Sequence, residues 1–204
     1  MNKVSIIITA LFILGGCSST PPKNQSNLCA IFAEKKSWYK QAHKASKRWG
    51  TSIPVMMAFA QQESGFRAKA KPPRKRILWI FPGPRPASAF GFAQAIDSTW
   101  RAYKQSTGRR GADRDDFEDA MDFIGWYNDQ SQRINKISKT DAYHLYLAYH
   151  EGHGGFKRGS FTGKHWLQDV AQKVSSRSDL YAQQLQTCER KLNKGFLRGL
   201  LSRG

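Results

Sequence analysis

Apolar residues recur along this chain at three-, four- and seven-residue intervals far more often than they alternate. Residues 29–50 place Ile31, Trp38, Ala42, Ala45 and Trp49 at those spacings and stop at Gly50, which predicts one amphipathic helix. Residues 51–66 open on a Thr-Ser cap with an early Pro54 and run to Gly65, a second helix. The same periodicity predicts helices over 92–107, 116–138, 140–152 and 164–192. β-Branched runs with two-residue alternation are scarce, so the fold class is mainly α, a single helical domain. One stretch breaks the rhythm. Residues 69–90 hold five prolines, a basic run at 72–76 and the apolar patch 77–81, and no helix runs through them. Either a surface loop tucked onto the body or an arm that contacts a substrate fits that composition.

The two ends of the chain are patterned differently. Lys3 precedes an apolar run over residues 4–14 and the pair Gly15-Gly16, too short for a permanent membrane span and shaped like a secretory signal. Residues 18–27 are polar and carry two prolines, which reads as a tether. Residues 191–204 mix Phe196, Leu197, Leu200 and Leu201 with lysine and arginine, a composition for a frayed tail or a membrane-surface segment. The expected organisation is a signal over 1–16, a tether over 17–28, a catalytic domain over 29–190 and a basic tail over 191–204.

Charge and cysteines narrow the setting. The chain carries a formal +18, and +17 once residues 1–16 are removed, a field that attracts polyanions. For an exported chain that points to anionic cell-wall peptides and membrane phosphates, with no nucleic-acid partner expected. Of three cysteines, Cys17 stands directly after the signal, which leaves Cys29 and Cys188 as an even pair expected to form a disulfide in an oxidising compartment. His144, His150, His153 and His165 lack the spacing of a helical zinc site, so neither a metal nor another cofactor is expected.

The candidate chemistry starts at Glu63. Met56, Phe59 or Ala60, and Glu63 follow the helical spacing, which puts a carboxyl on an apolar stripe in the last turn before Gly65. Desolvation and the negative helix end both favour its protonated form, as a general acid requires. The alternative is a helix-end glutamate turned to water or paired with one of the many cations. The aromatics Trp100, Tyr103, Trp126, Tyr143 and Tyr146 suit sugar stacking in type, but their helical spacing assigns most of them to the core.

Three motifs then carry a resemblance: "QQESGF" at 61–66, "AFGFAQ" at 89–94 and "LAYHEGHGGF" at 147–156. In that order they resemble the catalytic domain of soluble lytic transglycosylases, which cut peptidoglycan on a helical fold similar to goose-type lysozyme. The likeness covers about residues 30 to 188, with 119–127 where the family has a core-lining helix. It implies that Glu63 is the single catalytic acid/base. It also implies that Ser64 lies near the substrate, Gln94 reaches into the cleft and Tyr149 contacts the catalytic carboxyl, with His150, Glu151 and Gly152 beside the substrate. The sequence departs from the family at Phe92-Ala93, where Leu-Met is usual, and at His150, where Asn is usual. The "LGGC" at 14–17 is similar to a bacterial lipobox. That likeness implies lipid on Cys17 and, with Ser18 rather than Asp following, an outer-membrane anchor facing the periplasm.

What the resemblance implies mechanistically follows from a shortage. Ordinary glycosidases use two carboxylates, and the motifs supply one, with Glu151 and the remoter Asp97 as the only further candidates. The family's solution is a substrate-assisted cut of the MurNAc–GlcNAc β-1,4 bond that leaves 1,6-anhydroMurNAc ends. The expected partner is the peptidoglycan glycan strand, met by a monomer. A lysozyme-type hydrolase on the same fold, a non-catalytic cell-wall-binding lipoprotein and a polyanion binder are the alternatives.

Overall fold

The computed structural model describes residues 20–73, 76–77, 81–82 and 88–201, with side chains followed to residue 193. Cys17, the lipobox and most of the apolar patch at 77–81 lie outside the described residues. Among the described residues seven helices make up the body: α1 Leu28–Glu34, α2 Trp38–Trp49, α3 Ile53–Ser64, α4 Asp97–Thr107, α5 Phe117–Asn135, α6 Ala142–Lys157 and α7 His165–Leu201. Within 69–90 the described residues include a minimal antiparallel pair, β1 Arg76–Ile77 and β2 Phe81–Pro82, with Ile77 opposite Phe81.

The centre is α3. Eight consecutive residues, Ile53 to Ala60, are buried, so this helix has no solvent face until its last turn. A helix apolar all round belongs inside a fold. It packs on α7, α5 and α2, while α6 bridges α5 and α7. The single apolar stripe expected for α3 is therefore really a cylinder. Glu63 stands where that cylinder emerges, and Gly65 ends the helix in the left-handed region (φ 56°). Phe66 follows at φ 59°, rare for a bulky residue. Its ring is fully buried against Trp38, which also stacks on Phe117 at 3.9 Å and meets Phe92 edge-on. That aromatic cluster offsets the strained backbone and fixes the turn below Glu63.

Other sequence expectations change as well. The helix foreseen over 29–50 is two, α1 and α2, because Lys35 leaves helical geometry and Ser37 restarts the chain. The helix foreseen over 92–107 begins only at Asp97, because residues 91–95 form a turn with Gln94 at φ 47°. The tether expected over 18–27 is packed from Pro22 onward. Its Lys23 amide donates to Glu34 at 2.9 Å, Gln184 donates to the Ser26 carbonyl at 3.0 Å and Tyr181 to that of Gln25. Polar composition there reflects backbone groups served by α7 side chains. Gln25 in turn donates to the Gly65 carbonyl at 3.1 Å, bracing the end of α3.

Cys29 and Cys188 are joined, tying α1 to α7 across 159 residues of sequence. In the chain-entropy view such a closure stabilises by about 5 kcal/mol. Beyond it α7 continues unbroken through Leu201, so the segment from 191 is helical rather than frayed.

Candidate active site

Glu63 is partly open to solvent, yet its carboxyl is crowded by protein. Its hydrogen bond comes from the Tyr146 hydroxyl of α6. Desolvation pushes the Glu63 carboxyl up to about 7, and the Tyr146 bond, which favours the anion, only moderates the rise. Among the described residues no Lys or Arg forms an ion pair with it, in a chain with 33 of them. Of the helix-end alternative, the pairing with a cation is not seen among the described residues.

A tyrosine cluster shapes the surroundings. Phe59, one turn before Glu63, meets Tyr146 and Tyr149 edge-on at 5.3 and 5.4 Å. Tyr149 packs on Tyr127 at 4.9 Å. The hydroxyl of Tyr149 donates to the Ala93 carbonyl at 2.5 Å, while burial and the nearby Glu63 charge hold its proton firmly. The direct bond to Glu63 therefore comes from Tyr146, and Tyr149 ties α6 to the 91–95 turn. Tyr146, one of the aromatics whose spacing assigns most of them to the core, is buried there and still serves the site; the signal for that second role is its place one turn before Tyr149 on the same helix face.

Two other expected site residues serve backbone. Ser64 is 1% exposed, and its hydroxyl donates to the Ala60 carbonyl at 2.9 Å, because the residue after Glu63 is rotated by about 100° into the core. Gln94 donates its amide nitrogen to the Ala70 and Gly91 carbonyls at 3.0 and 2.8 Å, stitching the turn to the segment after α3. Gly91 sits beneath that stitch at φ 82°, and a β-carbon there would lie 1.9 Å from the Arg114 carbonyl oxygen. Only glycine fits.

Beyond Tyr149 the chain presents His150, Glu151 and Gly152. Lys164 reaches both oxygens of Glu151 at 2.8 Å, His150 Nδ1 lies 3.1 Å from one, and Ser160 donates to the other. These partners, Lys164 first, hold the Glu151 carboxyl down to about 2. Gly152 adopts φ 73°, ψ 157°, a region open essentially only to glycine, and kinks α6. Asp97, the remoter carboxylate, is paired with Arg114 at 2.8 Å. Trp100, Tyr103, Trp126 and Tyr146 are all buried to within 8% exposure, and Tyr143 is packed against the core. Among the described residues no three His, Cys, Asp or Glu side chains converge as a metal site.

The arrangement is one protonatable carboxyl near neutrality, steered by a tyrosine, with the two other candidate carboxylates committed to cations. No curated protein matches the chain. Residues 5–188 match the family model described as a transglycosylase SLT domain. With that match over most of its length and this mainly helical, lysozyme-like architecture, the chain belongs to the transglycosylase SLT domain family.

Proposed function

We propose that this protein is a peptidoglycan lytic transglycosylase in which Glu63 acts first as acid and then as base. Glu63 protonates the glycosidic oxygen between MurNAc and GlcNAc, and the GlcNAc leaves with that proton on its 4-hydroxyl. The N-acetyl oxygen of the MurNAc stabilises the electron-poor C1 as the bond breaks. The ionised Glu63 then removes the proton from the C6 hydroxyl, whose oxygen closes onto C1. The products are a free GlcNAc 4-hydroxyl and a 1,6-anhydroMurNAc end, with no water consumed. One group working in both directions suits a pKa near 7.

The observation that carries this reading is the crowded carboxyl of Glu63, which among the described residues has no cation paired with it. A hydrolase needs a second carboxylate to guide water or attack C1, and Glu151 and Asp97 are each held by a cation. The lipobox-like "LGGC" supports a lipid-anchored protein on the periplasmic face of the outer membrane, within reach of the wall. Mass spectrometry of muropeptides released from purified peptidoglycan tests the chemistry. Anhydro-muropeptides from the wild type, with none from Glu63→Gln, are expected. Reducing-end products lost in the same variant would overturn the transglycosylase reading in favour of a hydrolase. Release of neither, where another lytic enzyme works, would leave a binding lipoprotein.

A further inference from the structure

Among the described residues one tryptophan stands well outside the core. Trp166, the second residue of α7, is 57% exposed, whereas Trp38, Trp100 and Trp126 lie below 10%. Leaving an indole in water forfeits the burial that the others gain. Its ring is nevertheless held, meeting the His150 ring edge-on at 5.3 Å and 79°. His150 is fixed through Glu151 to Lys164, and the Leu167 amide donates to the Lys164 carbonyl at 2.8 Å, which roots the same turn of α7. Two residues beyond His150, nothing lies within 4 Å of where a β-carbon on Gly152 would stand, so the chain there is not crowded.

Its position follows from helix geometry. Tyr146, which bonds Glu63, and His150 are four residues apart on α6, ahead of the Gly152 kink. They share a face, with His150 displaced by about 6 Å along the axis. Trp166 joins at the second of these positions, its ring centroid 5.3 Å from that of His150. An exposed indole offers a flat apolar surface to the C–H face of a pyranose, while an imidazole and an ammonium group alongside can reach its hydroxyl and acetamido oxygens.

We propose that Trp166 and His150 form a sugar-binding shelf for an N-acetylhexosamine of the glycan strand, on the order of one to two saccharide units from the bond that Glu63 cuts. The inference rests on the reading of Glu63 above, and its test separates the two. Binding of peptide-free glycan strands is measured by calorimetry with the full-length Glu63→Gln protein, which does not consume the ligand, alone and combined with Trp166→Ala or Trp166→Phe. Trp166→Ala is expected to weaken binding about tenfold and Trp166→Phe less than about threefold, because a phenyl ring keeps part of the stacking surface. In the cleaving protein the same Ala change raises KM with kcat held within about twofold.

Equal binding by the Ala and parent proteins would overturn the shelf. So would a fall in kcat at constant KM, which would mark a merely structural residue. The indole N–H resonance of Trp166 in the otherwise unaltered Glu63→Gln protein reads the contact without touching the shelf, should the Ala variant fold poorly. It moves on adding glycan if the shelf is used, and stays if it is not. Glycan that binds but is not cut by the wild type would overturn the reading of Glu63 while the Trp166 comparison still decides this one.

Discussion

Glu63 and Glu151 are two glutamates within one small domain, placed at opposite ends of the carboxylate range. Glu63 closes α3, meets one tyrosine and is pushed up to about 7; Glu151, late in α6, meets a lysine, a histidine and a serine and is held down to about 2. The difference is not depth alone, since the side chain of Glu151 is only 5% exposed. It lies in what replaces water. Charged and hydroxyl donors replace it in kind at Glu151, and aromatic rings with a single hydroxyl replace it poorly at Glu63. A chain this basic could have supplied a cation to both. That among the described residues it supplies one only to Glu151 is what separates a structural carboxylate from a reactive one.

The largest test of that contrast is kinetic. Glu63→Gln removes the group that moves the proton, and muropeptide release should fall by about a thousandfold. Glu151→Gln leaves a neutral side chain of the same shape, and release should stay within about tenfold of wild type. Equal losses in the two variants would make Glu151 a second working carboxylate and break the comparison.

A thermodynamic test comes next. The folded Glu63 holds its proton more tightly than the unfolded chain, about 7 against 4.5. Stability from this group is therefore complete below pH 4.5 and drains away as pH rises through 7. Glu63→Gln never ionises, so the variant should match wild type near pH 4.5 and exceed it by about 2–3 kcal/mol at pH 8. Urea unfolding at the two pH values measures this. A variant no more stable at pH 8 would mean that the carboxyl is well solvated.

How much of this was legible beforehand divides along the same physical line. Helical periodicity located α3, α5, α6 and α7, and the Glu63 carboxyl with them, because burial imposes a 3.6-residue repeat on the sequence. Break points went unread where the backbone responds to tertiary contacts: Lys35 between α1 and α2, Gln94 in its left-handed turn, and the packed residues 22–27, whose polar composition is that of a linker. Roles carried over by motif fared unevenly. A motif fixes which residues stand together in sequence, but not which hydroxyl reaches the carboxyl. Ser64 turned into the core, Tyr149 bonded a backbone carbonyl, and the bond to Glu63 fell to Tyr146. Trp166 escaped notice because exposure of one aromatic leaves no mark on periodicity.

The finest test concerns that tyrosine. The Tyr146 hydroxyl donates to Glu63, a bond stronger when the carboxyl is ionised, so it opposes the upward push of burial. Tyr146→Phe removes the donor and keeps the ring against Phe59. Glu63 should then rise by about one further unit, because nothing is left to favour the anion. The general acid must be protonated to start the reaction, so kcat/KM falls above the Glu63 pKa. In wild type that fall should centre near pH 7, and in Tyr146→Phe near pH 8. The second half of the cycle should suffer in the opposite sense, with base catalysis by Glu63 no longer aided by the donor that stabilised its ionised form. A limb moved toward lower pH would mean that the hydroxyl had served the protonated acid instead. An unmoved limb with reduced kcat would make Tyr146 a support for the shape of the cleft, and the low cation density around Glu63 would then carry the contrast with Glu151 alone.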